Sequence, residues 1–212
     1  MIVADFRMMK KFLVAIVAVL FAAPSFAQYS SGGFTLSEST VYYGARVGLN
    51  VAWISGDFND NLSAKGGMNV GGVIGLRVSD ATPVFLESGL YFTMHGAKKD
   101  NTEANLNYLE IPLLIKYGVQ VTDDIALLPY LGPTFGLGIG GKEKYPEDPT
   151  VGSFSSDGHF NRPDVGIKFG CGAEYNKLYL ETGLKFGVTN ILDDDKKSAH
   201  NGAWYLNFGV NF

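Results

Sequence analysis

Large apolar side chains alternate with small or polar ones along most of this 212-residue chain. The last ten residues, AWYLNFGVNF, show the pattern plainly, with large apolar side chains at Trp204, Leu206, Phe208, Val210 and Phe212. A strict period of two indicates a β-strand with two different faces, because successive side chains of a strand point to opposite sides. The alternation therefore predicts strands, each with one apolar face and one polar face.

Eight alternating runs follow one another after residue 40. They are YYGARVGLNVAWI, GMNVGGVIGLRV, VFLESGLYFTMH, NYLEIPLLIKYG, IALLPYLGPTFGLGIG, RPDVGIKFGCGAEY, LYLETGLKFGVTN and AWYLNFGVNF. Helical periodicity does not appear among them, so the pattern predicts an all-β fold. Each run is long enough to supply the 9–11 residues that a tilted strand needs to cross a bilayer.

The connections between these runs alternate between short and long. SDATP, VTDD and YNK are tight turns with aspartate, proline or asparagine in turn positions. SGDFNDNLSAKG, GAKKDNTEANLN, GKEKYPEDPTVGSFSSDGHFN and LDDDKKSAHNG are longer and polar. Short periplasmic turns and long extracellular loops are typical of outer-membrane barrels. The sequence therefore predicts an eight-stranded antiparallel up-and-down transmembrane β-barrel over residues 41–212.

Side-chain size decides which face of this barrel meets lipid. An eight-stranded barrel has interior room only for its own side chains, and the bulky apolar faces of all its strands would overfill it. The other face carries many glycines and these charged residues: Arg46, Arg77, Glu87, Glu110, Lys116, Lys168, Glu174, Glu181 and Lys185. Because buried charge is costly unless it is paired, we expect an ion-pair network that plugs the interior, with Asp164 near a rim.

The N-terminal segment has the layout of a secretory signal peptide. A lysine pair precedes a short apolar stretch, and the small residues Ser25 and Ala27 follow it. We predict a signal peptide at residues 1–27, with Met9 as an alternative start, and an N-terminal periplasmic segment at 28–40. Export of the mature chain to the outer membrane of a Gram-negative bacterium follows from this prediction and from the barrel pattern.

Net charge and cysteine content exclude further classes of function and one kind of cross-link. Removing residues 1–27 takes three basic residues and one acidic residue from totals of 17 and 21, which leaves a net charge of −6. An acidic chain has no electrostatic footprint for nucleic acid. Cys171 is the single cysteine of the sequence, so no internal disulfide can form. We predict no cofactor and no metal site.

The closing strand carries a separate expectation. A last strand in hydrocarbon must pair with the first, because an open edge is unstable there. Aromatic alternation that ends in phenylalanine is similar to the signal that barrel-assembly machinery recognises in outer-membrane proteins. The predicted signal consists of Trp204, Leu206, Phe208, Val210 and Phe212. Expected partners are therefore this machinery during biogenesis and outer-membrane lipids afterwards.

The fourth run resembles the PorT-like outer-membrane β-barrel family. Its letters YLEIPLL, residues 108–114, match that family's strand pattern, and GARVGLN, ESGLYF and PYLGPTFGLG agree with it. The resemblance covers essentially residues 41–212 and implies the barrel fold. Some members are linked to a secretion system. Pro112 lies inside this run and predicts a bulge or kink, because proline cannot donate to the strand ladder.

These observations leave three functional hypotheses. The first is a structural role, or binding of an unknown protein partner by the extracellular loops. The second, which the resemblance implies, is an accessory component of a secretion or envelope-assembly system. The third is a lipid-modifying enzyme at the rim with His95 as its base, but no serine accompanies this histidine, so we predict no catalytic residue. On fold, the alternative is a soluble periplasmic barrel with its apolar face inside.

Overall fold

A computed structural model describes residues 41–57, 63–79, 82–99, 102–144, 149–156, 159–193 and 197–212. Their strands are β1 (Val41–Gly56), β2 (Ser63–Arg77), β3 (Val84–Lys99), β4 (Thr102–Tyr117), β5 (Val119–Gln120), β6 (Ile125–Lys144), β7 (Pro163–Tyr175), β8 (Leu178–Gly187) and β9 (Ala199–Asn211). This part of the chain contains no helix long and apolar enough to cross a bilayer. The predicted signal peptide and the segment 28–40 lie outside the described residues.

Eight long strands form a closed antiparallel barrel. Neighbours in the chain pair with each other, and β4 pairs directly with β6 past the two-residue β5. β9 returns to pair with β1, from Gly44 opposite Asn211 to Gly56 opposite Ala199. Closure satisfies the backbone groups of the first and last strands, which could not remain open in hydrocarbon. The predicted eight-stranded up-and-down barrel is confirmed.

The two faces of the barrel wall differ as the alternation predicts. The outward side chains are large and apolar, and many are about half exposed, for example Leu49, Ile115, Leu131, Phe208 and Phe212. The inward positions hold most of the buried polar and charged side chains. A continuous apolar outer surface is stable against lipid and not against water. The alternative of a soluble barrel with an apolar interior is therefore wrong.

The two ends of the barrel differ in the length of their connections. One end, which we call the short-turn end, has β5 and the connections 78–83, 118–124 and 176–177. Asn176 has a φ of 54°, a left-handed conformation that asparagine tolerates in a two-residue turn. The other end, which we call the long-loop end, has the connections 57–62, 100–101, 145–162 and 188–198.

One predicted long loop is wrong. GAKKDNTEANLN was expected to form a loop, but β3 continues to Lys99 and β4 begins at Thr102, so most of it forms a hairpin. Lys98 pairs opposite Glu103 in this hairpin, and Glu103 pairs opposite Lys144 of β6. The strands keep their ladder beyond the apolar band, and their polar residues indicate exposure to water rather than irregular backbone.

Pro112 produces no register shift, so the predicted bulge is wrong, and its predicted alternative, a local kink, stays a prediction. The register between β3 and β4 is the same before and after it, and Pro112 lies opposite Thr134 of β6. Ser88 Oγ donates a hydrogen bond to the Pro112 carbonyl oxygen at 2.8 Å. This bond satisfies the proline carbonyl oxygen, whereas the missing proline N–H is not replaced by it. The register shift between β4 and β6 lies instead between Asn107 and Tyr108.

Candidate functional site in the barrel interior

Tyrosine rings and glycines share the inward face of the wall. Six inward tyrosines are at most 6% exposed: Tyr42, Tyr91, Tyr108, Tyr130, Tyr179 and Tyr205. The ring of Tyr42 covers Gly75, and the ring of Tyr179 covers Gly172. A Cβ atom at either glycine would overlap the ring, so the close approach requires glycine there. These tyrosines occupy the same alternating strand positions as the inward charges, so the alternation alone places them inside the barrel.

Glu87 is the centre of a buried ion-pair cluster near the short-turn end, the Glu87 cluster. Lys116 Nζ lies 2.7 Å from Glu87 Oε1 and 3.9 Å from Glu181 Oε2. Arg46 Nη2 lies 3.7 Å from Glu87 Oε2, and the Tyr42 hydroxyl donates to the same oxygen at 2.7 Å. Both oxygens of the Glu87 carboxylate therefore have a cationic neighbour, which offsets the cost of burying its charge.

Arg46 connects this cluster to the last strand. Its Nη2 donates to Asn211 Oδ1 at 2.6 Å, and Asn211 Nδ2 donates to Glu174 Oε2 at 2.7 Å. The Arg46 guanidinium also lies 4.1 Å from the centre of the Tyr179 ring, a cation–π contact. Lys116 Nζ donates to the Tyr179 hydroxyl at 2.8 Å. These contacts cross-link β1, β4, β7, β8 and β9 through the lumen.

Glu110 is the centre of a second cluster nearer the long-loop end, the Glu110 cluster. Lys168 Nζ lies 2.7 Å from Glu110 Oε2. Lys185 Nζ contacts the other carboxylate oxygen and also lies 2.8 Å from Asp164 Oδ2. His95 Nε2 lies 3.0 Å from Glu110 Oε1. One carboxylate therefore holds together side chains from β3, β7 and β8.

The structure places the predicted interior charges in three ways. Eight of the nine face inward in the two clusters: Arg46, Glu87, Glu110, Lys116, Lys168, Glu174, Glu181 and Lys185. Arg77 lies at the end of β2, where its Nε donates to the Ser79 carbonyl oxygen at 3.0 Å. Asp164 was expected near a rim, but it belongs to the Glu110 cluster through Lys185 and also accepts from Asn201 Nδ2 at 3.0 Å.

His95 lies inside the barrel and not at its rim. The side chain is 4% exposed, and its ring packs edge-on against Tyr108 with the ring centres 5.6 Å apart. A catalytic base must come within hydrogen-bond reach of the substrate. The buried position of His95 gives it no access to lipid at the rim, so the geometry does not support the hypothesis of a rim-located enzyme based on this residue.

A small polar cavity adjoins the Glu110 cluster. Its volume is about 20 Å³, and Asn50, Thr93, His95 and Asn207 are among its lining residues. Such a volume has room for about one water molecule. Both side-chain polar atoms of Asn50 and the hydroxyl of Thr93 lack a hydrogen-bond partner among the described residues. This mixture of donors and acceptors suits water and is too small for a nutrient-sized solute.

Apolar residues close the barrel at the long-loop end. We call this group the outer cap: Phe154 and Phe160 from the loop 145–162, and Ile191 and Leu192 from the loop 188–198. It packs on the inward residues Ile54, Ala97, Leu106, Tyr108 and Ala199. The rings of Phe154 and Tyr108 meet edge-on with their centres 5.5 Å apart. The cap thus covers the side of the Glu110 cluster that faces the loops.

Hydrogen bonds hold the two loops of the outer cap together. Phe160 and Leu192 form an antiparallel bridge between them. Asn161 Nδ2 donates to the Leu192 carbonyl oxygen at 2.7 Å, which connects the two loops. Within the loop 145–162, Arg162 Nη2 donates to the Phe154 carbonyl oxygen at 3.0 Å. The composition of these loops, which is mostly polar, does not predict the cap. The one available signal was the apolar residues that interrupt the polar stretches.

The closing strand β9 presents its predicted assembly signal to the outside. Four of the five side chains are exposed on the outer face, and the fifth, that of Val210, is half-buried. β9 pairs with β1 on one side and with β8 on the other. Recognition of this strand by assembly machinery stays a prediction.

The class of protein follows from these features. A closed eight-stranded barrel with an apolar exterior and an ion-paired interior is an outer-membrane β-barrel. The family described as "Outer membrane protein beta-barrel domain" matches residues 26–193, and the chain belongs to this family. No curated protein matches the sequence.

Solved structures of outer-membrane proteins share the fold. Neisserial surface protein A is 16% identical, with 82% of this chain and 98% of that chain covered and a TM-score of 0.50. A major outer membrane protein from Thermus thermophilus is 14% identical, with 82% and 100% covered and a TM-score of 0.50. OprG from Pseudomonas aeruginosa is 12% identical, with 86% and 98% covered and a TM-score of 0.47. At these identities the likeness concerns the fold alone.

Family and fold together locate the protein. It resides in the outer membrane of a Gram-negative bacterium. The short-turn end faces the periplasm and the long-loop end faces the cell exterior.

Proposed function

We propose that this protein is a closed outer-membrane barrel that passes no solute and acts through its outer surface, as a structural component or by binding a partner at its extracellular loops. The observation that carries the proposal is closure of the lumen at successive levels. The Glu87 cluster, the Glu110 cluster and the outer cap follow one another along the barrel axis.

The energetics of the two clusters support a permanently closed lumen. A path for ions would require the removal of partners from buried charges such as Glu110 and Lys185, whose side chains are at most 1% exposed. Separating one partner from a buried pair costs about 3–5 kcal/mol. Because both clusters lie across the lumen, a path would need several such losses at once.

Solute flux through proteoliposomes tests the closed state. Vesicles that contain the refolded protein should retain potassium ions and a small sugar at the rate of protein-free vesicles. A porin of roughly 16–18 strands, which encloses a water-filled channel, is the positive control. Heat-modifiable gel mobility verifies that the barrel is folded. Leakage in proportion to the amount of folded protein would refute the proposal.

An ordered outer surface supports a role in binding. The outer cap fixes parts of two loops, and Asp57 N donates to the Ser198 carbonyl oxygen at 2.8 Å, which connects the loops that flank β1 and β9. Preordered loops lose less conformational entropy on binding. Crosslinking on intact cells followed by purification tests this role. If assembly machinery is the only protein recovered, the proposed binding role is refuted and the structural role is retained.

An accessory role in secretion or envelope assembly is the second candidate. Its support is the resemblance of residues 108–114 to the PorT-like family. The same crosslinking experiment separates it from the first, because an accessory would be recovered with components of a secretion complex. The absence of any such component from repeated purifications would refute the accessory role.

The assembly machinery is a further proposed partner, through β9. The outward aromatic residues of this strand end in Phe212, which is 66% exposed. Replacing Phe212 with alanine is expected to lower the amount of folded protein in the membrane, because the proposed assembly signal would lose its last aromatic residue. Equal amounts of folded wild type and F212A in the membrane would contradict the proposal.

A further inference from the structure

Four lysines gather on the outside of the barrel at the long-loop end. They lie around one glutamate on four strands, and we call this group the lysine cluster: Lys65 on β2, Lys98 on β3, Glu103 on β4, and Lys142 and Lys144 on β6. Lys98 lies opposite Glu103, and Glu103 lies opposite Lys144, so the three form one row across neighbouring strands. Lys142 lies opposite Asn105, one row nearer the membrane.

Lys65 joins the row by crossing over β3. Its Nζ contacts Glu103 Oε1 and Asn105 Oδ1 on β4. The crossing passes Gly96, where a Cβ atom would lie 3.3 Å from Lys65 Cδ. One glutamate against four lysines leaves the cluster with a charge of +3. The next two residues after Lys98, a lysine and an aspartate, add no net charge.

The lysine cluster lies at the level of the lipid headgroups. Outward apolar residues lie three or four positions nearer the short-turn end than three of the lysines: Met68 relative to Lys65, Met94 relative to Lys98, and Ile139 relative to Lys142. At about 3.3 Å per residue and a strand tilt near 40°, this separation is roughly 8–10 Å along the membrane normal. The polar layers of a bilayer begin directly outside its hydrocarbon core of about 30 Å.

The opposite side of the barrel has a different character at the same end. There the outward side chains of β1, β8 and β9 include Trp53, Phe186 and Trp204. The rings of Trp53 and Phe186 meet edge-on with their centres 6.3 Å apart. No outward position on the described parts of these three strands holds lysine or arginine. On the strand walls at this end, outward lysines therefore lie on β2, β3 and β6 and are absent from the described parts of β1, β8 and β9.

We propose that the lysine cluster binds the phosphate groups of a glycolipid in the outer leaflet. Lysine ammonium groups bind phosphate as point charges, and several of them near an anionic membrane surface act together. A headgroup with more than one phosphate matches a cluster that extends over two rows of a flat strand surface. The side chains point sideways at headgroup depth, so membrane lipid lies against them, whereas a soluble partner would approach the loops above.

Retention of glycolipid during purification tests the proposal. The test variant combines Lys65→Gln, Lys98→Gln, Lys142→Gln and Lys144→Gln. One control carries arginine at the same positions and keeps the charge, and a second carries Lys177→Gln at the short-turn end. Mass spectrometry gives the phosphorylated glycolipid per folded barrel after extraction in mild detergent. We expect at least about a fivefold loss for the glutamine variant, from four missing surface cations, and near wild-type values for both controls.

A second measurement keeps the test valid if the glutamine variant folds poorly. The unfolding midpoint of the wild-type protein is measured in vesicles with phosphorylated glycolipid and in vesicles with the same glycolipid after dephosphorylation. Phosphorylated glycolipid should raise the unfolding midpoint of the wild type. The unfolding midpoint of whatever glutamine variant folds should be the same in both kinds of vesicle. Equal retention in wild type and variant, or equal midpoints in the two kinds of vesicle, would overturn the proposal.

Discussion

The charged clusters in the middle of the barrel and the outer cap at its long-loop end close the same lumen with opposite chemistry. In the middle, Glu87 and Glu110 hold cations that come from strands on several sides of the barrel. At the long-loop end, Phe154, Ile191 and Leu192 pack on apolar inward residues and contribute no charge. The first closure depends on side chains of the wall, and the second depends on loops.

The difference between the two closures reflects the difference between strands, which position side chains accurately, and loops, which do not. Strand positions are set by the ladder, so an inward carboxylate can meet its cation with the accurate geometry that a buried ion pair requires. Loops are less constrained, and non-directional apolar packing suits them because it tolerates small displacements. The outermost inward residues of the wall, such as Leu106 and Ala199, accordingly supply an apolar floor for the cap.

The largest expected effect on stability comes from a substitution in the Glu110 cluster. Glu110→Gln removes the charge that compensates Lys168 and Lys185, so the free energy of unfolding should fall by about 3–5 kcal/mol. Urea unfolding in lipid vesicles, followed by gel mobility, measures the change. Glu103→Gln is the matched control, because its pair with Lys65 is partly exposed and should contribute about 1 kcal/mol or less. Similar losses in the two variants would contradict the importance of the buried cluster.

Truncation in the outer cap should act locally. Phe154→Ala removes a buried ring, and we expect a loss of up to about 3 kcal/mol in the stability of the cap, since the floor beneath it stays in place. The loop 145–162 should become sensitive to protease on intact cells, while the barrel keeps its unfolding midpoint and stays impermeable. Phe160→Ala, at the edge of the cap, should have a smaller effect. A large fall in the barrel's midpoint would show that the two closures are not separate.

A larger side chain in the barrel interior should have an intermediate effect on stability. Gly172→Ala places a Cβ atom against the Tyr179 ring, whose hydroxyl also accepts the hydrogen bond of Lys116. Overpacking of this kind destabilises by about 1–3 kcal/mol. Gly140→Ala is the control, because no atom lies within 4 Å of the added Cβ. Equal midpoints for G172A and G140A would show that the tyrosine layer adapts freely.

The smallest effect concerns the loop contact next to the cap and depends on pH. The backbone N–H and hydroxyl of Ser198 donate to Asp57, and these bonds hold the pKa of Asp57 below its ordinary value of 3.8. A lowered pKa in the folded state means that the contact stabilises the loops above the ordinary pKa and is lost as the pH falls through the lowered one.

Hydrogen exchange at the Ser198 amide measures this contact. Asp57→Asn should speed exchange at neutral pH, because the amide loses its charged acceptor. The difference between wild type and D57N should persist at the ordinary pKa of aspartate and shrink only as the pH falls through the lowered pKa, where the wild-type side chain also becomes neutral. A difference that is independent of pH would contradict the role of the carboxylate charge.

The barrel itself could be predicted because its rules are local. Alternation places each side chain inside or outside, and the turn lengths set the two ends, so the inward position of Glu87 and the outward position of Phe208 follow from the strand pattern. The β3–β4 hairpin was missed because strand ends above the membrane carry polar residues that resemble a loop. Because a strand that extends into water and a loop are both rich in polar residues, composition alone does not distinguish them.

The contacts within the interior required more than the pattern. Parity indicates that Asp164 and Lys185 both face inward, but their pairing depends on the register between β7 and β8 and on side-chain conformations. The outer cap depends on contacts between loops far apart in the sequence, such as Phe160 with Leu192, for which no local period exists. The strand pattern places the tyrosines on the inward face, but their contacts with the inward glycines and cations depend on side-chain conformation.

Single-channel recording in a planar bilayer tests the central claim, a lumen closed by its own side chains, most directly. Folded wild-type protein, and F154A with its weakened cap, should both give a flat baseline at either polarity, because the Glu87 and Glu110 clusters remain across the lumen. Steady, large unitary currents from the wild-type protein would contradict the account.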